Sequence, residues 1–102
     1  MIHHMVLVKF RADVTQTDKQ AIWDALEALG DIVDGLVSAT FGGNISPEGF
    51  SRGYDDGFVM VFRDAAARDA YLEHPAHKAA GGQLVAALEG GVDGLLVMDL
   101  GA

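Results

Sequence analysis

Three stretches of the chain, Met5 to Val8, Phe58 to Phe62 and Leu95 to Met98, are apolar at every position, and amphipathic or turn-forming segments separate them. Residues 2–10 read as a first strand, carried by Met5, Val6, Leu7, Val8 and Phe10. Arg11 to Val14 lead into a helix. Thr17-Asp18-Lys19-Gln20 fits a capping box, in which the Thr17 hydroxyl and the Gln20 amide satisfy free backbone N–H groups. Ile22, Leu26, Leu29 and Val33 then form one apolar stripe at helical spacing, and Asp34-Gly35 is expected to end the helix. Residues 36–42 predict a second strand. Gly42 to Gly49 are dense in turn formers and predict a loop. Residues 57–62 predict a third strand. Asp64 can cap a short helix, Ala65 to Leu72, and Pro75 opens another, His77 to Leu88, which Gly81-Gly82 weakens. Gly90-Gly91 closes it, and Leu95 to Met98 predict the last strand.

The order is β-α-β-β-α-β. It predicts a ferredoxin-like α+β fold, an antiparallel four-stranded sheet with its helices on one face. The 102 residues are expected to form a single domain, 1–102. An antiparallel sheet with one wet face alternates apolar and polar residues. Here Met5 to Val8, Phe58 to Phe62 and Leu95 to Met98 are apolar on both faces. The helices can cover one face, and the chain has no second helical layer. A second copy of the same sheet is the simplest cover, so the expected assembly is a homodimer closed into a dimeric α+β barrel.

Charge narrows the partners. The formal net charge is −8 at pH 7, which repels nucleic-acid phosphates and anionic membrane surfaces. There are no cysteines, which excludes disulfides, thiolate nucleophiles and zinc–thiolate or iron–sulfur sites. No apolar run approaches the roughly 20 residues a membrane helix needs. The first residues lack the basic and apolar regions of a signal peptide, so a cytoplasmic location is expected. No dinucleotide fingerprint or phosphate loop is present, and no cofactor is expected.

The candidate chemistry lies in Tyr71-Leu72-Glu73-His74-Pro75-Ala76-His77. Pro75 suits the first position of a helix, which puts His77 in the first turn and Tyr71 at the end of the helix before. An imidazole there can move protons near neutral pH, and a phenol can hold or polarise a substrate oxygen. The same residues could serve only a helix junction, with His77 bonding a backbone carbonyl and His74 bonding the backbone beside the proline. His74 and His77, with His3, His4 or Asp56, form no recognisable metal-ligand motif, so no metal site is expected. Trp23, Phe41, Phe58 and Phe62 read as core. No serine has a partner at a telling spacing.

Three stretches resemble the stress-responsive A/B barrel domain family of small dimeric α+β barrels. They are His4 to Phe10, Gly53-Tyr54-Asp55-Asp56-Gly57-Phe58, and Tyr71 through His77, which is similar to the signature Tyr-x-x-His-Pro-x-His. The resemblance implies the fold and the dimer. One branch of that family contains plant polyketide cyclases that close a ring without a cofactor. In that branch the last His of the signature is the acid–base residue and the Tyr assists, roles that would fall on His77 and Tyr71. His4 would line the same pocket, with His74 and Asp56 as further pocket residues. Asp56 occupies a position where that branch commonly has a histidine, and the first helix offers Ile22, Trp23 and Leu26 in place of a tyrosine hydroxyl. The resulting expectation is a stress-response or small-apolar-ligand-binding protein of undefined activity. The alternative is a cofactor-free cyclase- or isomerase-like enzyme with His77 as acid–base. A cofactor-independent monooxygenase is a neighbour by architecture only.

Overall fold

The structure, a computed structural model, describes residues Met1–Ala102. Its elements are β1 (Ile2–Val8), α1 (Gln16–Glu27), β2 (Leu36–Gly43), β3 (Asp56–Phe62), α2 (Ala65–Glu73), α3 (Pro75–Ala86) and β4 (Leu95–Gly101). The strands form one sheet in the order β2-β3-β1-β4, and every neighbouring pair is antiparallel. This is the ferredoxin-like arrangement that the pattern predicts.

Side-chain alternation along β1 divides the sheet. His4, Val6 and Val8 are buried under the helices, and Phe58, Met60 and Phe62 of β3 are buried with them. All buried strand residues belong to these two central strands. Ile22, Trp23 and Leu26 of α1, Ala67 and Tyr71 of α2, and Ala80 and Leu84 of α3 complete the same core. Trp23 packs against the rings of Phe10, Phe41 and Phe58 at 5.5, 5.4 and 5.8 Å between centroids. Trp23, Phe58 and Phe62 are core, as the sequence predicts, and Phe41 packs partly buried against them.

The opposite face carries Met5 and Leu7 of β1, Val59 and Val61 of β3, and Leu96, Met98 and Leu100 of β4, matched across the strands by register. No helix covers it. Leu96, Met98 and Leu100 are about half exposed at 48, 58 and 51 %. Residues 44–55 fold back beside this face. They leave a groove of about 660 Å³ whose apolar lining includes Leu7, Phe50, Val59 and Leu96.

Boundaries differ from expectation in ways that have local causes. The capping box is built on Thr15 and Asp18. Thr15 Oγ1 accepts from the Asp18 N–H at 3.1 Å, and the Thr15 N–H donates to Asp18 Oδ2 at 3.0 Å. The helix therefore starts at Gln16, which puts Thr17 inside its first turn. An acidic residue at the third helical position also favours this frame, because it meets the positive end of the helix dipole. The α-helix ends at Glu27 and tightens into a short 3-10 turn, Ala28–Asp31. Leu29 and Val33 stay buried on the same side, so the apolar stripe is honoured without a continuous helix. Gly35 follows at φ +90°, where an added Cβ would come within 2.5 Å of the Ala67 Cβ. Only glycine lets the chain enter β2 that close to α2.

The first strand stops at Val8, and Phe10 makes an isolated bridge to Leu88. The third helix runs from Pro75 to Ala86, straight through Gly81-Gly82. The last strand continues to Gly101, which brings Asp99 into the sheet opposite His4.

Thr15→Ala should lower the unfolding free energy by about 1 kcal/mol, the usual value of an N-cap. Thr17→Ala should change it by less than about 0.5 kcal/mol. Urea denaturation of the two variants separates the frames; equal losses would contradict the Thr15 assignment.

Candidate functional site

Three elements bring the proton-active residues together. His4 points from β1 into the helix side and is 5 % exposed. Tyr71, in the last turn of α2, is fully buried. His77 lies in the first turn of α3, because His74 separates the helices and Pro75 begins the second. The Tyr71 ring sits 4.4 Å from the His77 ring and 6.0 Å from the His4 ring, between centroids. Phe58 and Phe62 wall His4 on its own sheet at 6.4 and 6.2 Å.

Each member has a definite hydrogen-bonding state. His77 Nδ1–H donates to the Leu72 carbonyl at 3.3 Å, since a carbonyl can only accept. The neutral ring therefore keeps Nε2 as its basic nitrogen. Gly81 is one turn on, and even an added Cβ there would be 3.9 Å from Nε2, so the helix leaves that nitrogen room. Burial pushes the His77 pKa below its ordinary 6.5. The Leu72 bond opposes this, and the charges of His4 and Lys78 reinforce it. Tyr71 is the opposite case. Burial raises its phenol far above the ordinary value, so it stays neutral and able to donate. Its hydroxyl is buried and has no hydrogen-bond partner in the protein. An unsatisfied buried hydroxyl costs about 1–3 kcal/mol.

His4 belongs to a network absent from the sequence-based expectations. Its Nδ1 donates to Asp99 Oδ1 at 2.7 Å, and Arg68 Nη1 of α2 donates to Asp99 Oδ2 at 2.8 Å. Arg68 Nε donates to Asp69 at 2.9 Å. Burial alone would raise the Asp99 carboxyl, but the bonds from Arg68 and His4 outweigh it and hold the group below its ordinary value. Asp99 was legible only as one acid inside an otherwise apolar final strand. Arg68 was legible as a cation three residues before Tyr71. Neither signal means anything until the register places β4 beside β1.

The other named residues lie elsewhere. His74 Nδ1 accepts from the Ala76 N–H at 3.0 Å and caps α3, which is a junction role. Asp56 pairs with Val8 at the far end of β1, four residues from His4 and so about 13 Å along the strand. Its carboxylate accepts from Lys19 Nζ at 3.1 Å. Asp56 is therefore separated from the histidine cluster, contrary to its expected place in one pocket with His4. His3 is on the outer face, opposite Val61 and Leu100. No three His, Asp or Glu side chains approach closely enough to hold a metal ion. No helix is long and apolar enough to cross a membrane. The outer-face groove does not reach Tyr71 or His77, and His77 is half-buried, so the cluster borders the surface at the start of α3.

The lowered His77 pKa has a sign for stability. The unfolded chain binds a proton here near pH 6.5 and the folded chain only below that. The contribution is fully present above pH 6.5 and is lost as pH falls through the folded value. Asp99 acts in the same direction but in a lower window, below its ordinary 3.8. Unfolding free energy should fall between pH 7.5 and 5, and His77→Gln should flatten that slope. Urea titrations at the two pH values check this; a His77→Gln slope equal to that of the wild type would contradict it.

The sequence matches the stress responsive A/B barrel domain over residues 2–100. A dimeric ferredoxin-like protein of unknown function from Jannaschia sp. CCS1 is 36 % identical, with a TM-score of 0.91, covering 99 % of this chain and 98 % of that one. A hydroxynitrile lyase from Passiflora edulis shares the fold at a TM-score of 0.84 and 16 % identity, over 97 % of this chain and 90 % of the lyase. Olivetolic acid cyclase from Cannabis sativa is 21 % identical over 76 residues, 74 % of this chain and 75 % of the cyclase. With the family matched over nearly its whole length, the chain belongs to the stress responsive A/B barrel domain family.

Proposed function

We propose that this protein is a homodimeric barrel that binds a small, mostly apolar molecule bearing an oxygen function at the Tyr71–His77–His4 cluster. The observation that carries the reading is the orphaned Tyr71 hydroxyl, buried with no protein partner on a ring that neighbours two imidazoles. A neutral phenol there is a hydrogen-bond donor awaiting an acceptor, and a ligand carbonyl or hydroxyl would supply one. The surroundings are Phe58, Phe62 and the helix-side core, which suit an apolar body. The half-buried His77 at the start of α3 gives such a ligand its approach to the cluster. Two-dimensional NMR titration with p-cresol and hexan-2-one tests this. Shift changes should centre on His4, Tyr71 and His77; changes confined to the outer groove would overturn it.

The dimer rests on the outer sheet face. Met5, Leu7, Val59, Leu96, Met98 and Leu100 form a contiguous apolar patch of the kind that marks an interface. The dimeric relative from Jannaschia, at 36 % identity, supports the same assembly. Sedimentation should give a dimer at micromolar concentration. Met98→Asp should yield a folded monomer or a dimer weakened by 100-fold or more, because its charge would be buried unpaired. An unchanged dimer would exclude this face.

One observation favours a second reading, that the site catalyses proton transfer. His77 presents a neutral, basic Nε2 beside the Tyr71 donor, the pair needed to remove a proton next to a carbonyl and polarise its oxygen. Exchange of the α-protons of hexan-2-one into D2O measures it. Catalysis predicts acceleration over buffer that falls about 10²–10⁴-fold in His77→Ala, and falls less in Tyr71→Phe, which keeps the ring. Exchange no faster than in buffer leaves the binding reading alone.

A further inference from the structure

We infer that Arg68 is a positioning residue: it holds the group at position 99 against His4, where the Asp99 carboxylate keeps Nδ1 protonated and Nε2 free to accept from a bound molecule. The inference rests on the binding reading for its purpose, but its geometry stands by itself. The two oxygens of Asp99 are divided between two donors, with Oδ2 taken by Arg68 and Oδ1 by His4. Arg68 can only donate, so it always claims an acceptor. A carboxylate has a second acceptor to offer, and His4 must then meet it with a proton on Nδ1. No protein group bonds Nε2 of His4. Phe58, Phe62 and Tyr71 stand around the ring.

The arrangement also makes electrostatic sense. His4 is 5 % exposed and lies on the helix side of the sheet. The Asp99 carboxylate on its Nδ1 brings a negative charge against this largely apolar setting. Arg68 balances that carboxylate, at 24 % side-chain exposure for each partner. Its other contact, Nε to Asp69, holds the guanidinium on the surface of α2. Asp69 and His4 are the only other titratable groups bonded to this pair.

Asparagine at position 99 turns the inference into a test. Its side chain has one acceptor and one donor end. With Arg68 in place, the amide oxygen must turn to the guanidinium and the NH2 group to His4. His4 Nδ1 then has to accept, and the proton moves to Nε2. Two-bond 15N–1H spectra of 15N-histidine-labelled protein at neutral pH read this directly, with the His4 signals assigned by their loss in His4→Gln. The wild type should show a pyrrole-like Nδ1 and a pyridine-like Nε2. Asp99→Asn should exchange the two. Asp99→Asn combined with Arg68→Met should remove the bias and average the two nitrogens, whereas Asp99→Asn with Arg68→Lys, which keeps a donor, should preserve the exchange.

A wild-type Nδ1 that is pyridine-like, an Asp99→Asn spectrum like the wild type, or Arg68→Met without effect in the Asp99→Asn background would each overturn the inference. Each variant is compared at a temperature where its circular dichroism matches the wild type. If Asp99→Asn with Arg68→Met does not fold, Asp99→Asn with Arg68→Leu, which likewise has no donor, replaces it and should average the two nitrogens. Binding of p-cresol is followed in parallel, with a loss of about tenfold expected in Asp99→Asn, as for one hydrogen bond of about 1.4 kcal/mol. If the wild type fails to bind p-cresol, the binding reading is what fails, and the tautomer exchange still decides the role of Arg68.

Discussion

A sheet that is apolar on both faces, in a chain with helices enough for one, is the constraint from which the remaining features follow. Alternation along β1 commits His4, Val6 and Val8 to the helix side and Met5 and Leu7 to the other. A slip of one residue would exchange the two sets and take His4 away from Tyr71. The register therefore does more than fill the core. It selects which of two adjacent histidines enters the protein, His4, and which remains on the outer face, His3.

Helical cover also has an edge, and the polar network lies along it. The buried strand residues all belong to β1 and β3, while Val97 of β4 is 53 % exposed although it pairs with buried Val6. Beyond that limit apolar packing cannot tie α2 to β4. The Arg68–Asp99 ion pair does so instead, and the His4 bond joins it to β1. A partly buried pair of this kind adds little net stability, because desolvation offsets attraction, but removing one partner leaves a charge behind. Its value is in orientation, since it fixes where the α2 end of the cluster meets the sheet.

The elements were legible because period and turn chemistry agree along most of the chain. Asp64 as a cap, Pro75 at a helix start and the two apolar faces were all visible as sequence. The capping box was misplaced because Thr15-x-x-Asp18 and Thr17-x-x-Gln20 overlap, and local pattern does not rank them. Tyr71 and His77 could be paired from sequence because both flank one proline. Asp99 and Arg68 could not, since their link spans a strand pairing with no local trace. Asp56 is the reverse case: the resemblance implied a pocket position, while the register places it beside Lys19 at the far end of β1 from His4.

The charge states at the cluster limit what it can do. Burial keeps Tyr71 protonated and disfavours the cationic form of His77, so neither brings a full charge inside. The one carboxylate in contact, Asp99, is balanced by Arg68. An environment assembled this way is poor at holding an ionic ligand, which would have to enter without a counter-charge and at a large desolvation cost. It is suited to neutral oxygen functions, which exchange hydrogen bonds with water for hydrogen bonds with a phenol and an imidazole at little net cost. The orphaned hydroxyl is thus informative beyond its own energy. Phenylalanine would fill the same space without the penalty, and a ligand oxygen at the proposed site would account for the hydroxyl.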